Sequence, residues 1–158
     1  MARRIDYFDD SAGPKPNSLV PSANVVVVND AGDLLLIQRS DNENWALPGG
    51  AMDLGESLVD TAVRETLEET GVRCEVTGLL GIYTDPLHVI LYTSNGEARQ
   101  EFSVVFLAKP IDGEPTTSDE SSQVKWVPVG DVVRLQLDRS MRMRIDHYLA
   151  GSEKPHLG

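Results

Sequence analysis

Apolar residues follow two rhythms along the chain, and the places where the rhythm changes divide it into elements. Val25 to Val28 is an unbroken β-branched run and Leu34 to Ile37 a second apolar run, with Asn29-Asp30-Ala31-Gly32 as turn material between them. The pattern predicts a hairpin whose two strands are buried on both faces. From Ser57 to Thr70 the spacing changes to threes and fours, and Val59, Ala62, Val63, Thr66 and Thr70 form one stripe of a helix with no internal glycine or proline. Ser57 and Asp60 resemble a capping box at its start, and Gly71 stands where a helix-ending positive φ is wanted. Strand patterns then return over Cys74 to Tyr83, Val89 to Tyr92, Phe102 to Ala108 and Val124 to Val127, with Asn95-Gly96 predicting a hairpin between the second and third of these. Past Pro128 a last helix is predicted. Met141, Ile145, Tyr148 and Leu149 make its apolar face, and Arg139, Arg142 and Arg144 lie off that face, as a partner or substrate surface or, more often for such a helix, as solvated cations.

The flanks carry less pattern. Residues 1–17 are mixed in polarity, contain Gly13, Pro14 and Pro16, and read as an irregular lead-in to one domain over residues 18–151, with residues 152–158 as a tail. A chain of 158 residues, 41% of them hydrophobic, suits a single core. Asp112 to Ser122 reads as an acidic, Ser/Thr-rich loop. No stretch approaches the roughly 20 apolar residues of a membrane helix, and Arg3-Arg4 runs into Ile5-Asp6-Tyr7-Phe8 rather than an apolar leader. Cys74 is the sole cysteine, so no intrachain disulfide can form. The expectation is a soluble cytoplasmic protein with no membrane partner.

Charge narrows the partners. The formal net charge of −11, from 25 acidic against 14 basic residues, opposes non-specific attraction to a phosphate backbone, so no nucleic-acid partner is expected. A small polyanionic substrate must be met by a local device, and bound divalent cations can reverse the sign of an acidic pocket.

Glu65, Glu68 and Glu69 supply such a device. Their i, i+3, i+4 spacing sends three carboxylates out from one side of the predicted helix. Hard oxygen ligands of this kind suit Mg²⁺ or Mn²⁺, although three glutamates alone are more often a solvated helix face. Arg64, four residues before Glu68, can hold it by a charge-assisted bond. Pro48-Gly49-Gly50 forces a tight bend ahead of the helix, and Glu56 lies just before its start, where the dipole favours a carboxylate.

Taken in order, Gly50, five residues, Glu56, seven residues and Arg64-Glu65-Thr66-Leu67-Glu68-Glu69-Thr70-Gly71-Val72 resemble the Nudix box at every fixed polar and glycine position. Thr66 departs from it, standing where an aliphatic residue is usual. The resemblance implies an α/β/α sandwich with a mixed central β-sheet and metal-assisted cleavage of a phosphoanhydride bond in a nucleotide-type small molecule. It implies the Gly49 carbonyl with Glu65, Glu68 and Glu69 as ligands to Mg²⁺ or Mn²⁺, Arg64 as their support, and Glu56 beside them. Candidates for the general base are Glu69, Glu65, Glu56 and, from the later acidic loop, Glu120. Arg39, at a strand end, is a candidate substrate contact, as are Tyr83 and His88 in the loop expected after the first strand beyond the box. Trp45 is expected to pack. Pro86 lies 15 residues past Gly71, one short of the spacing in relatives that hydrolyse ADP-ribose. A nucleotide sugar such as ADP-ribose is slightly preferred over a nucleoside triphosphate or an oxidised nucleotide. A non-catalytic Nudix-like binding module is the rival of another class, and the isoprenoid diphosphate isomerase branch is disfavoured because Cys74 lies after the box. A homodimer is left open.

Overall fold

In strand β3 (Ser22–Val27), Val25 and Val27 belong to one hydrophobic cluster and Val26 to another, so successive side chains feed opposite faces of the sheet. Leu34 and Leu36 in β4 (Leu34–Arg39) join the cluster of Val26, and Leu35 joins that of Val25. These two clusters lie on the two faces of the sheet in an α/β/α sandwich, seen in a computed structural model that describes residues 3–158. Met1 and Ala2, the start of the expected lead-in, lie outside the described residues.

The remaining elements are β1 (Arg4–Phe8), β2 (Ser18–Leu19), β5 (Trp45–Ala46), β6 (Gly49–Ala51), α1 (Leu58–Thr70), β7 (Arg73–Tyr83), β8 (His88–Tyr92), β9 (Glu97–Gln100), β10 (Ser103–Asp112), β11 (Ser121–Val127), α2 (Val129–Val132), α3 (Arg139–Ala150) and β12 (His156–Leu157). A five-stranded sheet in the order β12-β7-β10-β3-β6 is mixed, because β10 runs parallel to β3 and antiparallel to β7. Beside it lie a three-stranded sheet, β11-β4-β5, and a four-stranded one, β1-β8-β9-β2. Helix α1 covers one side through Ala62, packed with Ala23, Val25, Val72 and Cys74. Helix α3 covers the other through Met141 and Ile145, packed with Leu36, Leu47, Tyr83 and Val105.

Several sequence expectations give way. Val25–Val27 and Leu34–Ile37 are buried on both faces as expected, with Val28 half-buried, but the two runs do not pair as a hairpin. β10 and β6 take the edges of β3, and β11 and β5 take those of β4, leaving a single bridge between Val28 and Leu34. Asn95-Gly96 does turn a hairpin, with Gly96 at φ 74°, but its second strand is β9 rather than the strand expected from Phe102. The lead-in is not irregular throughout, since Arg4–Phe8 pairs antiparallel with β8. The tail likewise contributes β12, which lies parallel to β7. On α1, Val59 is exposed, while Thr61 and Glu69 are buried in its stead. Arg144 is not solvated but 3% exposed, at the centre of the α3 contact.

Candidate active site

The N-terminus of α1 is fixed by a reciprocal cap: the Asp60 amide donates to Ser57 Oγ at 3.1 Å and the Ser57 amide to Asp60 Oδ2 at 3.0 Å. At the other end Gly71 adopts φ 76°, the left-handed conformation a C-terminal glycine supplies cheaply. With both ends set, Arg64 is aimed back over the loop that enters the helix. Its Nε donates to Glu56 Oε2 at 2.5 Å, Nη2 to Glu56 Oε1 at 2.9 Å and to the Ala51 carbonyl at 3.2 Å, and Nη1 to Glu65 Oε1 at 2.9 Å and Glu68 Oε2 at 3.2 Å. The expected support of Glu68 is thus present, but the principal partner of Arg64 is Glu56. Arg64, the Asp53 amide and the Thr61 hydroxyl together hold the Glu56 carboxyl down to about 2. Glu56 is thereby the most firmly anchored of the candidate carboxylates.

Glu69 sits in the opposite environment. Its side chain is buried, and its Oε2 accepts from the Gly49 amide at 3.3 Å. Burial first, then the charges of Glu65 and Glu120, push its carboxyl up to about 8. Burial also raises Glu65, against the bond from Arg64. β6 presses against these groups because Gly50 has no side chain: a Cβ there would lie 2.5 Å from Glu65 Cδ. Glu120 is exposed in the turn before β11, with the neighbouring Ser121 hydroxyl donating to the Glu69 carbonyl at 3.3 Å. Glu68 points outward, its side chain 59% exposed. Among the described residues no three Asp, Glu, His or Cys side chains converge on one metal-sized point. Glu65 and Glu69 nonetheless fit a divalent cation in chemistry. They are hard oxygen donors crowded by burial and mutual repulsion, which a cation relieves.

Glu69, Gly49 and Gly50 line a cleft together with Arg39, His88 and Arg144. Arg39 thus reaches the cleft as a candidate; His88 borders it but is buried with its ring nitrogens against Asp6 and Glu101, and Tyr83 does not line it. Tyr83 is the last residue of β7, is buried, and shares a 2.7 Å hydrogen bond with His147 Nδ1, so it serves the core rather than the substrate. His88 opens β8 instead of lying in a loop. Pro86 is exposed and off the cleft lining. Trp45 packs as expected, buried with Lys125 Nζ 4.8 Å above its ring. Cys74 is buried and its thiol raised by that burial, the opposite of a reactive cysteine.

Sequence reasoning missed a buried polar chain under the cleft. Asp6 Oδ2 lies 3.2 Å from His88 Nε2, His88 Nδ1 3.1 Å from Glu101 Oε2, and Glu101 Oε1 2.6 Å from Arg144 Nη2, while Arg144 Nη1 donates to Asn24 Oδ1. Arg144 could have been suspected, since it stands three residues beyond Met141 and next to Ile145 on the inward side of α3. Asp6 and Glu101 carry no local signal, because their partners lie 82 residues away in one case and 43 in the other.

The NUDIX domain model matches residues 18–148, most of the chain. A MutT-like protein of Streptomyces ambofaciens is 39% identical over 107 residues, covering 68% of this chain and 62% of the relative. An ADP-ribose pyrophosphatase of Methanocaldococcus jannaschii is 30% identical over 115 residues, covering 71% of this chain and 64% of the relative. The chain therefore spans less than two thirds of the length of these curated relatives. Among solved structures, a MutT protein from Methanosarcina mazei superposes with a TM-score of 0.69 at 23% identity, covering 90% of this chain and 100% of the other, a likeness of fold. With the box residues gathered on α1 and the turn before it, and the family model spanning the sandwich that holds them, the chain belongs to the Nudix family.

Proposed function

We propose that this chain is a metal-dependent pyrophosphohydrolase that cleaves a phosphoanhydride bond in a nucleoside diphosphate linked to another moiety. The observation that carries the reading is the pair Glu65 and Glu69, two crowded carboxylates against the Gly49-Gly50 turn, with Glu69 and the turn lining a cleft. Glu65, Glu69 and the Gly49 carbonyl would hold a divalent ion, with Glu68 joining when it turns from Arg64. Mg²⁺ or Mn²⁺ bound there supplies neutralisation of the diphosphate oxygens and a lowered pKa for the attacking water. Arg64 keeps Glu65 and Glu56 in place through its forked bonds. In the reaction a water oxygen forms a new bond to phosphorus, the phosphoanhydride P–O bond breaks, and the water's proton passes to a carboxylate. Glu69, whose buried carboxylate faces the Gly49 amide, is our candidate for that acceptor, with Glu65 and Glu56 beside it on the Arg64 fork. Glu120, whose charge acts on both Glu65 and Glu69, is the alternative acceptor.

The relatives' names include an ADP-ribose pyrophosphatase and a MutT-like protein, which fits a nucleotide as the substrate of this chain and leaves both nucleotide sugars and triphosphates in view. No helix among the described residues is long and apolar enough to cross a membrane. The buried, unpaired Cys74 supports a reducing, cytoplasmic setting.

The test is a panel of nucleotide sugars, nucleoside triphosphates and dinucleoside polyphosphates with Mg²⁺ and Mn²⁺, run on the wild type and on Glu69→Gln. The substitution is expected to lower kcat by about 10²–10⁴, the range for a lost proton-transfer group. Full retention of metal-dependent turnover in Glu69→Gln would end the catalytic assignment. Tight nucleotide binding without any turnover in the wild type would favour a binding module.

A further inference from the structure

Three arginines from three different strands meet along the cleft, and all three are held in the same way. Arg4 of β1 donates through Nε and Nη2 to the two oxygens of Asp6, at 2.8 and 3.1 Å. Arg39 at the end of β4 does so to Asp41, at 2.9 and 2.7 Å, and Arg99 of β9 to Glu97, at 2.9 and 3.0 Å. In each case the carboxylate is two residues away in the chain and grips one edge of the guanidinium. The Nη1 group is left outside the fork, and at Arg99 it donates to the Tyr92 hydroxyl at 3.4 Å. Their side chains are 25%, 30% and 21% exposed, so they are neither interior ion pairs nor free surface cations.

The three belong to one neighbourhood. Arg4 stands opposite Tyr92 in the β1–β8 register, and Arg99 lies over the Tyr92 ring at 4.7 Å. Arg4 and Arg39 both act on Asp41. All line the same cleft as Glu69 and Gly49, and Arg39 lies near enough to act on Glu69. In a chain of net charge −11, one cleft therefore gathers three oriented guanidinium groups alongside Glu69. A guanidinium already fixed by a bidentate carboxylate loses little rotamer freedom when it takes an anion on its remaining edge. Arg4 has a further distinction: it lies on β1, outside residues 18–148 matched by the family model.

We propose that Arg4, Arg39 and Arg99 form a receiving site for an anionic group carried by the substrate beyond the phosphates held at the glutamates, with β1 as a specificity element. The proposal rests on the pyrophosphohydrolase reading and deepens it: the three arginines select a nucleoside triphosphate over a nucleotide sugar whose distal group is neutral. The arginines act on binding, so their loss is carried by KM rather than by kcat.

The experiment compares wild type, Arg4→Gln and Arg99→Gln with a nucleoside triphosphate and with ADP-ribose, and measures binding of inorganic tripolyphosphate directly by calorimetry. Each substitution is expected to raise the triphosphate KM and to weaken tripolyphosphate binding about ten- to a hundredfold, the worth of one charge-assisted hydrogen bond. The ADP-ribose KM should move less than about twofold by comparison, and Arg4→Lys should recover part of the loss. Equal loss on both substrates, or unchanged tripolyphosphate binding in both folded variants, overturns the site. Because tripolyphosphate binding needs no turnover, a wild type that hydrolyses no nucleotide but binds tripolyphosphate through Arg4 and Arg99 would remove the enzymatic reading and keep the anion site.

Discussion

Arg64 and Glu56 are joined by two bonds, Nε to Oε2 at 2.5 Å and Nη2 to Oε1 at 2.9 Å, across eight residues of chain. The remaining Nη1 donates to Glu65 and Glu68, so one planar group sets the positions of three carboxylates. A lysine retains the charge but cannot reproduce that fork. Arg64→Lys is therefore expected to fold and to lose about 10- to 100-fold in Mn²⁺ affinity and turnover, the usual effect of removing a group that orients metal ligands. Titration of Mn²⁺ alongside kcat would check it; wild-type values for both would mean that the fork does not position the site.

Arg144 and Glu101 pose a different question, because both side chains are 3% exposed. Removing one member of a buried pair strands the other's charge. Arg144→Met is expected to cost about 3–5 kcal/mol of stability by that mechanism. Adding Glu101→Gln should recover part of the cost. Urea unfolding of both variants decides the matter: a double variant less stable than Arg144→Met would show that the stranded charge was not the problem.

His88 gives stability a pH dependence. Burial opposes its charged form, but Asp6 and Glu101 on either side outweigh that and raise its pKa. A histidine with a raised native pKa contributes stability that is present in full below its unfolded value of about 6.5 and is lost as pH rises through the native value. His88→Gln should therefore destabilise more at pH 6 than at pH 9. Equal losses at the two pH values, measured by denaturant midpoint, would place His88 in the fold as a neutral residue.

The parts of this molecule that could be read from the sequence are those governed by neighbours in the chain. The α1 cap at Ser57 and Asp60, the ending at Gly71 and the spacing of Glu65 and Glu69 all depend on residues within a few positions, where the period of the helix is decisive. Pairing in the sheets is decided at long range, so Val25–Val28 and Leu34–Ile37 looked like partners although other strands claim their edges. The same limit hid β1, whose five residues acquire a role only against β8. At the site, glutamate spacing suggested three equivalent ligands. It could not say that α1 turns Glu69 inward and leaves Glu68 outside, which depends on where β6 lies.

Thr66 is where the box departs from its family, and it is completely buried with only the weakly bonding Cys74 thiol as a polar side-chain neighbour of its hydroxyl. Valine has nearly the same shape and no polar group to strand. Thr66→Val is expected to raise stability by about 1 kcal/mol, at the lower end of the cost of an unsatisfied buried group. A lower melting temperature would mean that the hydroxyl is paired in solution.

Gly50 separates the fold from the site. A methyl group there would lie 2.5 Å from Glu65 Cδ and 2.6 and 2.8 Å from its oxygens, well inside contact distance. The obstructing atoms are the end of a flexible side chain, so Gly50→Ala can be accommodated by swinging Glu65 aside, and stability should change little. Such a swing draws Glu65 away from Arg64 and from the turn bearing Gly49, whereas Glu69 keeps its bond from the Gly49 amide. The expected outcome is a folded protein with wild-type-like unfolding and with Mn²⁺ affinity and kcat reduced at least about tenfold, because displacement of a positioned group by 1 Å can cost 10²-fold in rate. The combination distinguishes two roles for the glycine. Loss of stability together with activity would mean that Gly50 serves the β3–β6 pairing, while retention of both would mean that Glu65 works equally well from another position.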